Sequence, residues 1–264
     1  MPYIHIDNSS LYYEKCGLGN PLVLIHGSCL SSKMWEDSYD IIAHHRQVVA
    51  YDQRGYGKSI LMPGENYSQE NDLHMLYENL KFNKADLLGL SSGAQIAVDF
   101  YLQFPNKVNS LILVSPALSG GPINNETTEI DNKTLKSINE KKCRETVQLN
   151  YQHPVFASAI NNIRCNSLLR EIIKNHDSEI VTANPPKRLR SNSASRLAEI
   201  KTPSLILLGE NDLTHFHQIS RLLNAGIENS ILKTIPEAGH MLNMEKPDIF
   251  NDILLSFLQG EGNI

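Results

Sequence analysis

Apolar positions along this chain follow two periods. Leu22-Val23-Leu24-Ile25, Val48-Val49-Ala50-Tyr51, Leu87-Leu88-Gly89-Leu90, Val108–Val114 and Ser204–Gly209 are short apolar runs. Runs of this kind are strands buried on both faces of a parallel sheet. Between them the spacing lengthens to the helical period over 31–44, 68–80 and 94–104, the last closed by Pro105. Ser31 or Ser32 stands where it can cap the first of these helices. Near the start, Tyr3–Ile6 and 11–16 flank the turn-rich Asp7-Asn8-Ser9-Ser10 and predict an antiparallel hairpin at one sheet edge. Near the end, a helix at 216–224, a strand at 231–235 and a helix at 247–258 resume the alternation. Strands and helices alternating at this spacing predict a mostly parallel sheet with helices on both faces.

The pattern breaks once. From 119 to 196 strand-like runs vanish, Asn, Ser and charge increase, and helix-like pieces lie near 126–150 and 155–174. This piece carries a net charge of +4 and the rest of the chain −9. An inserted helical cap accounts for it, dividing the chain into a first core part (1–118), a cap (119–196) and a second core part (197–264).

Composition narrows the classes. A chain of 264 residues, 41% of them apolar, is long enough for one large core, or for a core domain carrying an insertion. It begins without a basic, apolar leader and has no run of about 18 apolar residues, so the expectation is a cytoplasmic protein with no membrane span. A net charge of −5 argues against nucleic acid as a partner. Cys16, Cys29, Cys143 and Cys165 are far apart with no C-x-x-C pair, which predicts reduced thiols in place of a disulfide framework or zinc cluster.

Chemistry concentrates at Gly89-Leu90-Ser91-Ser92-Gly93, where an apolar run ends and a helical pattern begins at once. A serine on a tight strand-to-helix turn projects its hydroxyl above the sheet edge, and the flanking glycines let backbone segments come close. The N–H of Ser92, at the helix start, then points to where an oxyanion would form.

Five motifs in order carry a family resemblance. His26-Gly27, Asp52-Gln53-Arg54-Gly55-Tyr56-Gly57-Lys58-Ser59, Gly89 to Gly93, Gly209-Glu210-Asn211-Asp212, and Gly239-His240 followed by Glu245-Lys246-Pro247 make the chain resemble an α/β-hydrolase-fold serine hydrolase over nearly its whole length. The resemblance implies a mostly parallel eight-stranded sheet and a triad of Ser91, Asp212 and His240. A serine hydroxyl needs a base to take its proton during attack, and His240 is the candidate. Asp212 would hold the imidazole's tautomer, and Glu210 is its nearby rival. Ser92 supplies one oxyanion donor, and by resemblance Ser28 supplies the second.

Cys29, beside that loop, and Trp35 are candidate substrate contacts, although Cys29 also reads as packing, and Trp35 and Met34 equally as a helix anchor in the core. Arg54 is expected to order its own glycine-rich loop. His215-x-His217 and His44-His45 lack a third ligand at metal-binding spacing, and Lys187-Arg188-Leu189-Arg190 reads as a solvated face. The expected activity is hydrolysis of a small carboxylic ester or lactone through an acyl-enzyme on Ser91, with no cofactor and no metal. Hydrolysis of a carbon–carbon bond, a perhydrolase-like activity and a ligand receptor that keeps the triad are the alternatives.

Overall fold

Eight strands form one sheet: β1 (Tyr3–Ile6), β2 (Ser9–Cys16), β3 (Pro21–Ile25), β4 (Gln47–Tyr51), β5 (Ala85–Leu90), β6 (Val108–Val114), β7 (Ser204–Gly209) and β8 (Ser230–Ile235). Their order is β1-β2-β4-β3-β5-β6-β7-β8. The β1–β2 and β2–β4 pairs are antiparallel, so the expected hairpin does sit at an edge, and every other pair is parallel. The computed structural model describes residues 2–122, 125–174, 186 and 192–260. The basic run at 187–190 lies outside them.

Alternation within the apolar runs decides the layers. Val23, Ile25, Leu87, Leu111 and Ile206 face one apolar cluster, while Leu22, Leu24, Leu88, Ile112 and Leu205 face another. Helices α2 (Gln69–Leu80), α3 (Ser92–Gln103) and a later helix, Thr214–Gly226, close the first through residues such as Leu76, Phe100 and Leu223. Helix α1 (Glu36–Ala43) and the last helix, Pro247–Gln259, close the second through Ile42, Phe250 and Leu254. Ser68 caps α2 by accepting the Asn71 N–H at 3.2 Å. Ser31 makes no such bond with its side chain. The Asp52 carboxylate takes the Ser32 N–H instead, at 2.7 Å.

Between β6 and β7 lie α4 (Thr128–Asn139), α5 (Cys143–Tyr151), α6 (Ala157–Asn161) and α7 (Ile163–Lys174). They form two tiers. α7 buries Cys165, Leu169, Ile172 and Ile173 in the same cluster as Leu22 and Leu24, so it is fused to the core. α4 buries only Ser137 among its own residues and packs on α5, which makes it the outer tier. The segment's two stems meet at α3: Ser119 Oγ donates to Asp99 Oδ2 at 2.9 Å, Ser193 Oγ donates to Asp99 Oδ1, and the Ala194 N–H reaches the Ser119 carbonyl at 2.9 Å. Leu197 already lies in the first cluster. Among the described residues no helix is long and apolar enough to cross a membrane.

Candidate active site

Ser91 lies between β5 and α3 with φ 55° and ψ −116°, a left-handed conformation that costs a non-glycine residue on the order of 1–3 kcal/mol. Its surroundings hold it there. The Ser91 N–H donates to Val114 O at 2.9 Å, and its carbonyl accepts the N–H groups of Ala94, Gln95 and Ala117 at 3.0, 3.2 and 3.1 Å. Gly93 is glycine because a Cβ there would stand 2.2 Å from the Ile25 carbonyl oxygen. That contact draws the start of α3 against the end of β3, and so draws Ser92 to Ser28. Their hydroxyls are 3.0 Å apart, with Ser28 Oγ donating. The Ser92 N–H belongs to the first helical turn, where donors have no intrahelical acceptor.

His240 follows β8 and Asp212 follows β7. Gly209 lets the two loops touch, since a Cβ on it would meet the Gly239 carbonyl oxygen at 2.1 Å. Nδ1 of His240 is 3.1 and 3.0 Å from the Asp212 carboxylate oxygens. Asp212 also takes the Leu213 N–H at 2.8 Å. Glu210 does not compete, because its carboxylate turns outward to accept the Glu237 N–H at 3.0 Å. Glu245 explains the second half of its motif. Its two oxygens accept the Gly239 N–H at 2.8 Å and the Met241 N–H at 3.1 Å, clamping the backbone on both sides of His240, and Ser158 Oγ donates to it from α6.

Ser91 and His240 open on one cavity of 440 Å³, walled by Gly27, Ser28, Cys29 and Leu30 after β3 and by residues of α4 and of 150–156 between β6 and β7. Phe216 also lines it, its ring centroid 4.2 Å from that of His240. Cys29 lies at the cavity with φ 61°, and burial, reinforced by the charge of Asp131, pushes its thiol up to about 12. That makes it a neutral wall. Of the two readings of Trp35, the structure takes the core anchor and not the substrate contact. The 3₁₀ turn Ser32–Trp35 directs the indole under the sheet, where it is fully buried in the second cluster and stacks on Phe250 at 6.4 Å, away from the cavity. Met34 is buried with it.

The Asp52–Ser59 loop is scaffold. Arg54, 3% exposed, pairs with Asp72 at 2.7 Å and Glu65 at 2.7 Å and lies over the Tyr67 ring. His26 is locked beside it, its Nε2 accepting the Gln53 N–H at 3.0 Å and its Nδ1 lying 2.8 Å from Gly27 O. Burial holds its pKa below the ordinary imidazole value. Tyr56, from the same loop, does reach the cavity. Sequence reasoning quoted the loop and gave Tyr56 no role. It also missed Asp131 and His153, which line the cavity from the segment between β6 and β7, with His153 Nε2 3.1 Å from Asp131 Oδ1. Among the described residues no group of three His, Cys, Asp or Glu side chains is arranged to hold a metal.

The family described as the alpha/beta hydrolase fold matches residues 20–141. Among curated relatives, a 2-hydroxy-6-oxononadienedioate/2-hydroxy-6-oxononatrienedioate hydrolase of Escherichia coli K12 is 27% identical over 94% of this chain and 90% of its own. Among solved structures, a thermophilic esterase from Thermogutta terrifontis superposes with a TM-score of 0.82 at 24% identity, covering 96% of this chain and 94% of that one. The enol-lactonase from Burkholderia xenovorans gives 0.83 at 21% identity, covering 98% and 100%.

Proposed function

Since the chain is a hydrolase of the α/β-hydrolase fold, we propose that it cleaves a small carboxylic ester or lactone through an acyl-enzyme on Ser91. The observation that carries this reading is the buried His240–Asp212 pair opening on the same cavity as Ser91. With Nδ1 turned to Asp212, Nε2 is the nitrogen left to take the Ser91 proton. Oγ then bonds to the substrate carbonyl carbon while the N–H groups of Ser28 and Ser92 hold the oxyanion. His240 returns the proton to the departing alkoxide as the C–O bond breaks. Water, deprotonated by the same imidazole, adds to the acyl carbon and releases the acid and Ser91.

A fluorophosphonate probe tests this directly: mass spectrometry should place the adduct on the peptide containing Gly89 to Gly93. Nitrophenyl esters of increasing acyl length and simple lactones should be turned over, with Ser91→Ala lowering kcat by at least ~10³. An adduct on another serine, or an Ser91→Ala variant of full activity, would overturn the assignment.

A further inference from the structure

The carboxylate of Asp131 faces the reaction cavity from the first turn of α4, and the cavity contains no lysine or arginine among the described residues. We infer that the cavity selects an ester or lactone carrying a positive charge, an ammonium group remote from the scissile carbonyl, and that Asp131 is the residue that selects it. This rests on the ester-hydrolase reading above and names its substrate class.

Asp131 is held in place without being neutralised. Thr127 Oγ1 donates to its Oδ2 at 2.7 Å, and His153 Nε2 lies 3.1 Å from its Oδ1. The Val155 N–H donates to His153 Nδ1 at 3.3 Å, so the ring proton sits on Nε2 and is given to Asp131. Burial lowers the pKa of His153, despite the adjoining carboxylate, so the ring brings a hydrogen bond and no cation. Each Asp131 oxygen therefore has one donor and a lone pair to spare. Over half of the side chain's surface stays open.

A bare negative charge on this wall works against the reaction proposed for it. Asp131 helps raise the Cys29 thiol, so its field reaches the residue next to Ser28, the proposed oxyanion donor. Negative charge that develops on the substrate oxygen is repelled by the same field. A substrate ammonium placed against Asp131 cancels that repulsion and adds an attraction of its own, whereas a substrate carboxylate doubles the penalty. A neutral substrate gains nothing from the carboxylate. The wall is thus a discriminator by charge, built from three cap residues and independent of the triad.

The test uses three nitrophenyl esters of one acyl length that end in tert-butyl, trimethylammonium or carboxylate, the first two nearly equal in shape. Wild-type kcat/KM should rank trimethylammonium above tert-butyl by about three- to fivefold and carboxylate last. Asp131→Asn should bring the trimethylammonium to tert-butyl ratio close to one, and Asp131→Glu should restore most of it. A wild-type ratio near one, a carboxylate ester turned over best, or a ratio untouched by Asp131→Asn would each overturn the inference while leaving the ester-hydrolase reading intact. Calorimetric titration of the matching methyl ketones needs no turnover. If no ester is cleaved, the hydrolase reading fails, and the same charge ranking in ketone binding still upholds or overturns the role of Asp131.

Discussion

Nδ1 of His240 stands within 3.1 Å of both carboxylate oxygens of Asp212, and the two side chains are only 3% and 1% exposed. Burial this deep leaves the imidazole one orientation, and under the proposed mechanism the carboxylate stabilises it when it takes a proton. Asp212→Asn should lower kcat on the order of 10²–10⁴-fold. Glu210→Gln should change it little, because Glu210 serves the Glu237 N–H at the surface. Steady-state kinetics on one ester check the ranking, and the reverse order would move the acid to Glu210.

Glu245 holds the backbone on both sides of His240, and its removal strands donors. Glu245→Ala leaves the N–H groups of Gly239 and Met241 without their acceptor in a buried site, at about 1–3 kcal/mol for each. The expected outcome is a lower unfolding temperature together with a fall in kcat larger than any change in KM. Glu245→Gln should recover part of both. If calorimetry shows a stability loss but kcat holds, the clamp does not orient His240.

Acid should weaken the fold before most carboxylates titrate. His26 is buried and its pKa is depressed by that burial, so the folded protein resists protonating it while the unfolded chain accepts a proton at about 6.5. Its stabilisation is full above that value and declines as pH falls below it. His153 and His215, also lowered by burial, act in the same direction. The unfolding temperature should drop between pH 7.5 and 5.5, with a shallower drop in His26→Gln. A flat profile over that window would contradict the account.

Thiol chemistry should separate the four cysteines. Cys16 and Cys143 are exposed. Burial raises the thiols of Cys29 and Cys165 to about 12, and Cys165 also donates to Met244 O at 3.0 Å. Iodoacetamide at neutral pH should modify the first two quickly and the others slowly, with hydrolysis unaffected at the stage of two labels. Rapid loss of activity with a label on Cys29 would show its thiol to be reactive.

How much of this was legible depended on the range of the physics involved. The strands and Ser91 were readable because an apolar run, a glycine at each flank and a helical pattern are all local requirements of one turn. Val108–Val114 and Ser204–Gly209 match their expected limits for the same reason. Long-range pairing of Asp212 with His240 entered only through resemblance, since no local rule joins two loops after different strands. Trp35 was ambiguous because an indole after a loop serves a pocket or a core equally well, and the turn at Ser32–Trp35 decides for the core. Asp131 and His153 had no signal at all. They meet because α4 packs on α5, a contact that no spacing along the chain encodes.

Asp99 grips the chain at Ser119 and at Ser193, so the long excursion between them departs and returns at nearly one point. A detour whose ends are already joined costs little to lengthen, since each doubling of a flexible loop adds only about 0.6 kcal/mol of closure entropy. In evolutionary terms the outer tier, α4 packed on α5, is an exchangeable part: residues can be gained, lost or recharged there while α7 stays packed in the core and Ser158 keeps its bond to Glu245. On the proposed reading, descendants of this sequence could change what they cleave without relearning how to cleave it.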